Sequence, residues 1–146
     1  MKKYFWLILL LLISFIPLWD FLRPGIPQTH DIDLHLARTA SFYASLKEGI
    51  LIPRWSRNLN WGYGTPILSF VYPLPSYFSS LFLSLGFSLI DSVKILMISS
   101  FILSGVFTYL WLKNLWGREA GFIGGLIYMF APYRFVDLYV RGALGE

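Results

Sequence analysis

The chain contains no cysteine. Disulfides and thiolate metal sites are therefore excluded, while the compartment stays undecided. It is also poor in charge. Only 14% of its 146 residues are Asp, Glu, Lys or Arg, against roughly 25% in an ordinary soluble domain. The formal net charge of +4 is scattered along the chain. No basic face of the kind a nucleic-acid partner requires is present, and anionic lipid head groups account for the excess.

What replaces charge is apolar and aromatic surface. Hydrophobic residues make up 56% of the chain and aromatic residues 19%, and the mean hydropathy is +0.60. A core of this size cannot hide three or four long apolar runs, so a lipid bilayer is their natural solvent. The first run covers residues 4–22, behind Lys2 and Lys3. It exceeds a signal-peptide core of ~7–15 residues, and bulky, charged residues follow it instead of a small-residue cleavage site. It reads as an uncleaved anchor with a cytoplasmic N-terminus.

Residues 23–65 are the polar part. Pro24, Gly25 and Pro27 break the first helix. An amphipathic helix is expected over residues 29–48, with Gly49 as its stop. Ile32, Leu36, Ala40 and Tyr43 form one stripe; Asp31, His35, Arg38 and Ser45 form another, facing water or a cavity. A Pro-, Gly- and Trp-rich loop follows, of the kind found at a membrane interface. The next apolar stretch, residues 66–90, is split by Pro73 and Pro75. The piece left at 76–90 suits a re-entrant or interfacial helix better than a crossing. Residues 92–112 form a comfortable span, with Lys94 in its first turn able to snorkel to head groups. A last span is expected at 119–134, followed by an outer C-terminal segment, 135–146. Counting Lys and Arg in short loops favours three crossings, with Lys113 and Arg118 inside beside Lys2 and Lys3.

Two groups of polar residues carry possible chemistry. Asp31 and His35 share a helical face, with Arg38 one turn on. The carboxylate can act as general base. Asp31 and His35 can share a metal ion, although two ligands make a weak site. Arg38 can hold a phosphate in bidentate fashion. The plain alternative is a solvated helix face, with Asp31 and Asp33 favouring the positive helix end. Arg54, Trp55 and Arg57 either bind a phosphate or sugar or anchor the loop at the interface. Gly121 and Gly125, four apart, read as a helix-packing surface. Arg141 and Glu146, charged in an apolar tail, each need a partner or water.

The order of motifs supports a family resemblance. His30-Asp31 opens the outer loop, and a Pro53-Arg54-Trp55 segment follows. Then come Gly62-Tyr63-Gly64-Thr65-Pro66 and Tyr72-Pro73-Leu74-Pro75-Ser76-Tyr77. The chain closes on Ala131-Pro132-Tyr133-Arg134, Asp137-Leu138-Tyr139 and Arg141-Gly142-Ala143-Leu144-Gly145-Glu146. Over nearly its whole length it resembles bacterial membrane proteins labelled 6-pyruvoyl-tetrahydropterin synthase-related, a label that does not describe their chemistry. These look like members of the GT-C superfamily of polytopic glycosyltransferases.

That resemblance implies an all-α integral membrane fold, the N-terminal part of a GT-C-like helical bundle with a juxtamembrane helix in the first outer loop. It implies transfer of a sugar from a polyprenyl-phosphate donor to an acceptor on the outer face of the cell membrane. A carboxylate early in the first outer loop serves there as base or holds a divalent metal. The role falls on Asp31. Glu146 is the second catalytic candidate, on the family's final motif. His35, Arg38, Arg54, Arg57 and Arg141 are candidate substrate contacts by position. Such proteins carry many more spans, so the chain is expected to be a fragment, inactive in isolation. The alternative is a non-enzymatic polytopic protein: a transporter, flippase or assembly subunit.

Overall fold

In order along the chain, the helices are α1 (Phe5–Ser14), α2 (Ile32–Lys47), α3 (Leu74–Ser84), α4 (Leu89–Trp116), α5 (Arg118–Met129) and α6 (Pro132–Phe135). Residues Val136–Arg141 then form a π-helical segment. Short 3-10 turns lie at Trp19–Leu22 and Pro66–Ser69. The structure, a computed structural model, describes residues 4–145. Among these no β-strand occurs, and Ser56 and Thr65 form one isolated bridge. The all-α expectation therefore holds. Lys2, Lys3 and Glu146 lie outside the described residues.

The first apolar run is not one continuous helix. α1 ends at Ser14, whose hydroxyl donates to the Leu11 carbonyl at 2.6 Å. Pro17 follows; it lacks an N–H and disfavours helical backbone at the residue before it. The run then resumes as the 3-10 turn. Ten residues of α-helix rise only about 15 Å, half the hydrocarbon thickness of ~30 Å.

α4 is the one helix among the described residues long and apolar enough to cross a membrane. It starts earlier than expected because Ser88 caps it. The Ser88 hydroxyl accepts from the Asp91 amide at 3.1 Å and donates to the Asp91 carboxylate at 2.7 Å, a reciprocal cap. Starting at Leu89 puts Lys94 beyond the first turn. There it is buried, 8% exposed, and does not reach outward as expected. Val93, Met97, Phe101 and Tyr109 form a buried stripe at helical spacing. Leu103, Phe107, Trp111 and Leu115 are exposed, so the outer face is apolar too. Only 28% of the most apolar window is buried, unlike the core helix of a soluble protein.

The last apolar run is interrupted. Ala131 is extended, with φ −59° and ψ 134°, because the residue before a proline avoids helical backbone. α5 thus keeps twelve residues.

The chain forms two compact units. One contains residues 1–27 and 97–140. Here α1 packs on α5, with Trp6 and Phe122 rings 4.9 Å apart. Gly121 and Gly125 lie in the packing surface. A Cβ at Gly121 would sit 2.8 Å from the Tyr109 carbonyl, and one at Gly125 would sit 3.3 Å from Leu10. The Tyr139 hydroxyl donates to the Pro17 carbonyl. Arg134 donates to Ser104 at 3.1 Å and lies over the Phe101 and Tyr128 rings.

The other unit contains residues 28–96 and 141–146, and is built on the pairing of α2 with α3. Phe42 meets Tyr77 edge-on at 4.8 Å, and the Tyr77 hydroxyl donates to the Leu51 carbonyl at 2.5 Å. The buried residues of α3 are Ser76, Ser79 and Ser80, and α2 buries Ser41 and Ser45. Small side chains of this kind allow close helix approach. α3 is eleven residues long, about 16 Å, well under the hydrocarbon thickness of about 30 Å.

Candidate functional site

The site is assembled around the start of α2. Asp31 is the residue before its first turn, and the Asp31 carbonyl accepts from the His35 amide at 3.0 Å. The Asp31 amide in turn donates to the carbonyl of Arg141 at 3.0 Å. Next to that bond the chain turns at Gly142, φ +68°, a left-handed conformation that glycine adopts without steric cost. A Cβ there would run into the Thr29 side chain. Residues 141–145 are thereby held against the N-terminal end of α2.

A cavity of about 290 Å³ results, lined by Asp31, His35, Arg38, Tyr72, Arg141, Ala143 and Gly145. Four of the sequence-predicted residues thus come together: Asp31, His35, Arg38 and Arg141. Asp31 is exposed and Arg38 half-buried. His35 is 7% exposed. The polar stripe of α2 therefore faces a cavity, one of the two settings expected for it. Arg38 Nε is buried with no hydrogen-bond partner among the described residues. An unsatisfied guanidinium N–H in a confined space favours an anionic acceptor.

The electrostatics agree. Burial pushes the His35 imidazole below its ordinary value, and the Arg38 guanidinium pushes it further; Asp31 and the backbone of Gly142 act in the opposite sense. The neutral imidazole is favoured. One carboxylate and two guanidiniums then leave the cavity with a positive balance, able to hold an anion and to offer one base.

Arg54 and Arg57 do not line the cavity. Arg57 pairs with Glu48 at the C-terminal end of α2, and the Arg54 carbonyl accepts from the Ser69 hydroxyl at 3.3 Å. These contacts organise the loop between α2 and α3. Tyr72, noted in the sequence only as part of its aromatic motif and not as a site candidate, also lines the cavity. Its signal was the Tyr-Pro-Leu-Pro segment: the prolines direct the chain into α3 and leave Tyr72 on the cavity wall.

A divalent metal fits the described residues poorly. No group of three or more His, Cys, Asp or Glu side chains able to hold one occurs among them. Asp31 and His35 offer two donors, too few for a closed site.

No protein-family model matches the chain, and no solved structure matches it. A curated protein of Lactococcus lactis subsp. cremoris (strain MG1363), described as uncharacterized, is 28% identical over 138 residues, which cover 90% of this chain and 22% of that protein. The chain spans about a fifth of the length of this relative.

Proposed function

We propose that this chain forms the outer-face site of a membrane-embedded glycosyltransferase of the GT-C type, which passes a sugar from a polyprenyl-phosphate donor to an acceptor hydroxyl. The observation that carries the reading is the Asp31–Arg141 backbone bond, which makes one cavity of a carboxylate and two guanidiniums. Asp31 takes the proton of the acceptor hydroxyl. The oxygen attacks the anomeric carbon from the face opposite the phosphate, inverting it. The bond from that carbon to the phosphate oxygen breaks, and the lipid phosphate leaves with the electron pair. Arg38 and Arg141 stabilise the charge that gathers on it. His35, buried on the same wall, lies beside Arg38 in the cavity.

The membrane setting belongs to the same proposal. α4 crosses the bilayer, its apolar exposed face toward lipid. α1 with its following turn is the anchor, oriented by Lys2 and Lys3 toward the cytoplasm, and the cavity faces outward.

The test is a transfer assay with a labelled polyprenyl-phosphate sugar, in membranes holding the protein at the length its gene encodes. Asp31→Asn should abolish turnover while membrane insertion stays intact. Arg141→Ala should raise the donor KM. Wild-type transfer by the Asp31→Asn variant would remove Asp31 as base and favour the non-enzymatic reading.

A further inference from the structure

The loop between α2 and α3 carries a second feature, separate from the cavity. Two consecutive non-glycine residues, Asn60 and Trp61, sit at φ +55° and +57°. Left-handed backbone costs an ordinary residue roughly 1–2 kcal/mol, and such strain persists only where surrounding contacts impose it. Here they do. Ser56 and Thr65 exchange backbone hydrogen bonds of 2.8 and 3.0 Å across the base of the loop. The Gly64 amide donates to the Leu59 carbonyl at 3.0 Å, and the Asn60 side chain donates to the Gly64 carbonyl at 3.4 Å. The Trp55 ring lies against Gly64, leaving no room for a Cβ.

From this frame two large side chains, Trp61 and Tyr63, project outward. Trp61 is 97% exposed and Tyr63 is 82% exposed. The segments entering and leaving the loop add exposed Leu51, Ile52 and Phe70. Arg54, exposed, engages the protein through its backbone carbonyl. Exposed apolar surface of this extent marks a contact with something.

We propose that this loop inserts Trp61 and Tyr63 into the head-group layer of a lipid bilayer, with Arg54 on lipid phosphate. The chemistry favours lipid over a sugar or a peptide. Trp and Tyr are amphipathic and collect at the level of the head groups. The flanking aliphatic side chains Leu51 and Ile52 suit acyl chains and give a sugar no polar partner. A pre-ordered loop also inserts without first losing the entropy of closing. The proposal is independent of the transferase reading.

The test uses single introduced cysteines, and this chain contributes none of its own; any native cysteine elsewhere in the full-length protein is first replaced by serine. Trp61→Cys and, separately, Tyr63→Cys are labelled with an environment-sensitive fluorophore in the full-length protein, reconstituted in vesicles of phosphatidylethanolamine and phosphatidylglycerol. Gln28→Cys is the comparison position, exposed in the same unit. Lipid insertion predicts a blue-shifted emission at 61 and 63, loss of intensity with spin-labelled lipid, and protection from aqueous iodide. Iodide quenching at both positions, equal to that at 28, overturns the proposal. Protection from both quenchers overturns it as well, because it assigns the loop to a protein contact. Tyr63 has ordinary backbone, φ −72°, so its variant reports even if the residue 61 change disturbs the turn.

Discussion

The backbone amide of Asp31 donates to the carbonyl of Arg141 across 3.0 Å, joining the motif that opens the polar segment to the motif that closes the chain. Neither residue reaches the other through its side chain for this bond. Both residues line the same cavity. A main-chain bond therefore brings the two residues to one cavity wall.

Gly142 is the hinge of that junction. Gly142→Ala should destabilise the protein by at least about 1–2 kcal/mol, the penalty for left-handed backbone, with the collision against Thr29 added. Thermal unfolding in detergent measures it. Thr29→Ala in the same chain should recover the steric part and leave the backbone part. If Gly142→Ala alone unfolds like wild type, the turn does not hold the junction.

His35 gives a pH signature with a definite sign. Its folded value is lowered by burial and by Arg38. The unfolded chain takes up a proton near pH 6.5, and the folded chain does so only at lower pH. Between these values the unfolded state binds more protons, so stability falls as pH falls. His35→Gln should flatten the unfolding temperature against pH in that window. An unchanged slope would assign the dependence to another group.

Arg57 should matter little. Its pair with Glu48 is exposed, 58% and 48% for the two side chains, and pairs of this kind contribute under ~1 kcal/mol. Arg57→Ala should lower stability by no more than that and leave the donor KM unmoved. A severalfold rise in KM would return Arg57 to the substrate site.

The glycines of α5 should differ from one another. A side chain at Gly121 meets the Tyr109 backbone, whereas one at Gly124 meets only the end of the Leu112 side chain. Overpacking of this kind costs typically about 1–3 kcal/mol. Gly121→Leu should show that loss in denaturant unfolding, and Gly124→Ala a much smaller one. Equal losses would mean that the tight face of α5 is not where the structure places it.

Some of this was legible in the residues. The all-α class follows from apolar runs interrupted by Pro and Gly, because those residues end helices through local backbone rules. The long apolar helix α4, the stop of α2 before Gly49 and the small-residue face of α5 were readable for the same reason. So was the shared face of Asp31, His35 and Arg38, which is helical arithmetic. Other features depended on contacts distant in sequence. The breaks after Ser14 and at Ala131 follow a local rule, yet hydropathy hides them, since an apolar run has the same composition bent or straight. Lys94 was expected in the first turn of its helix, able to snorkel to the head groups; the Ser88 cap starts the helix earlier, and Lys94 is buried. Arg54 and Arg57 look like site residues by type, and only the Glu48 and Ser69 contacts place them in a loop frame. The convergence of Asp31 with Arg141 and Tyr72 was decided by tertiary structure alone. A hydrogen bond between backbone groups leaves no trace in side-chain identity, and the glycine that permits it reads in sequence like any other.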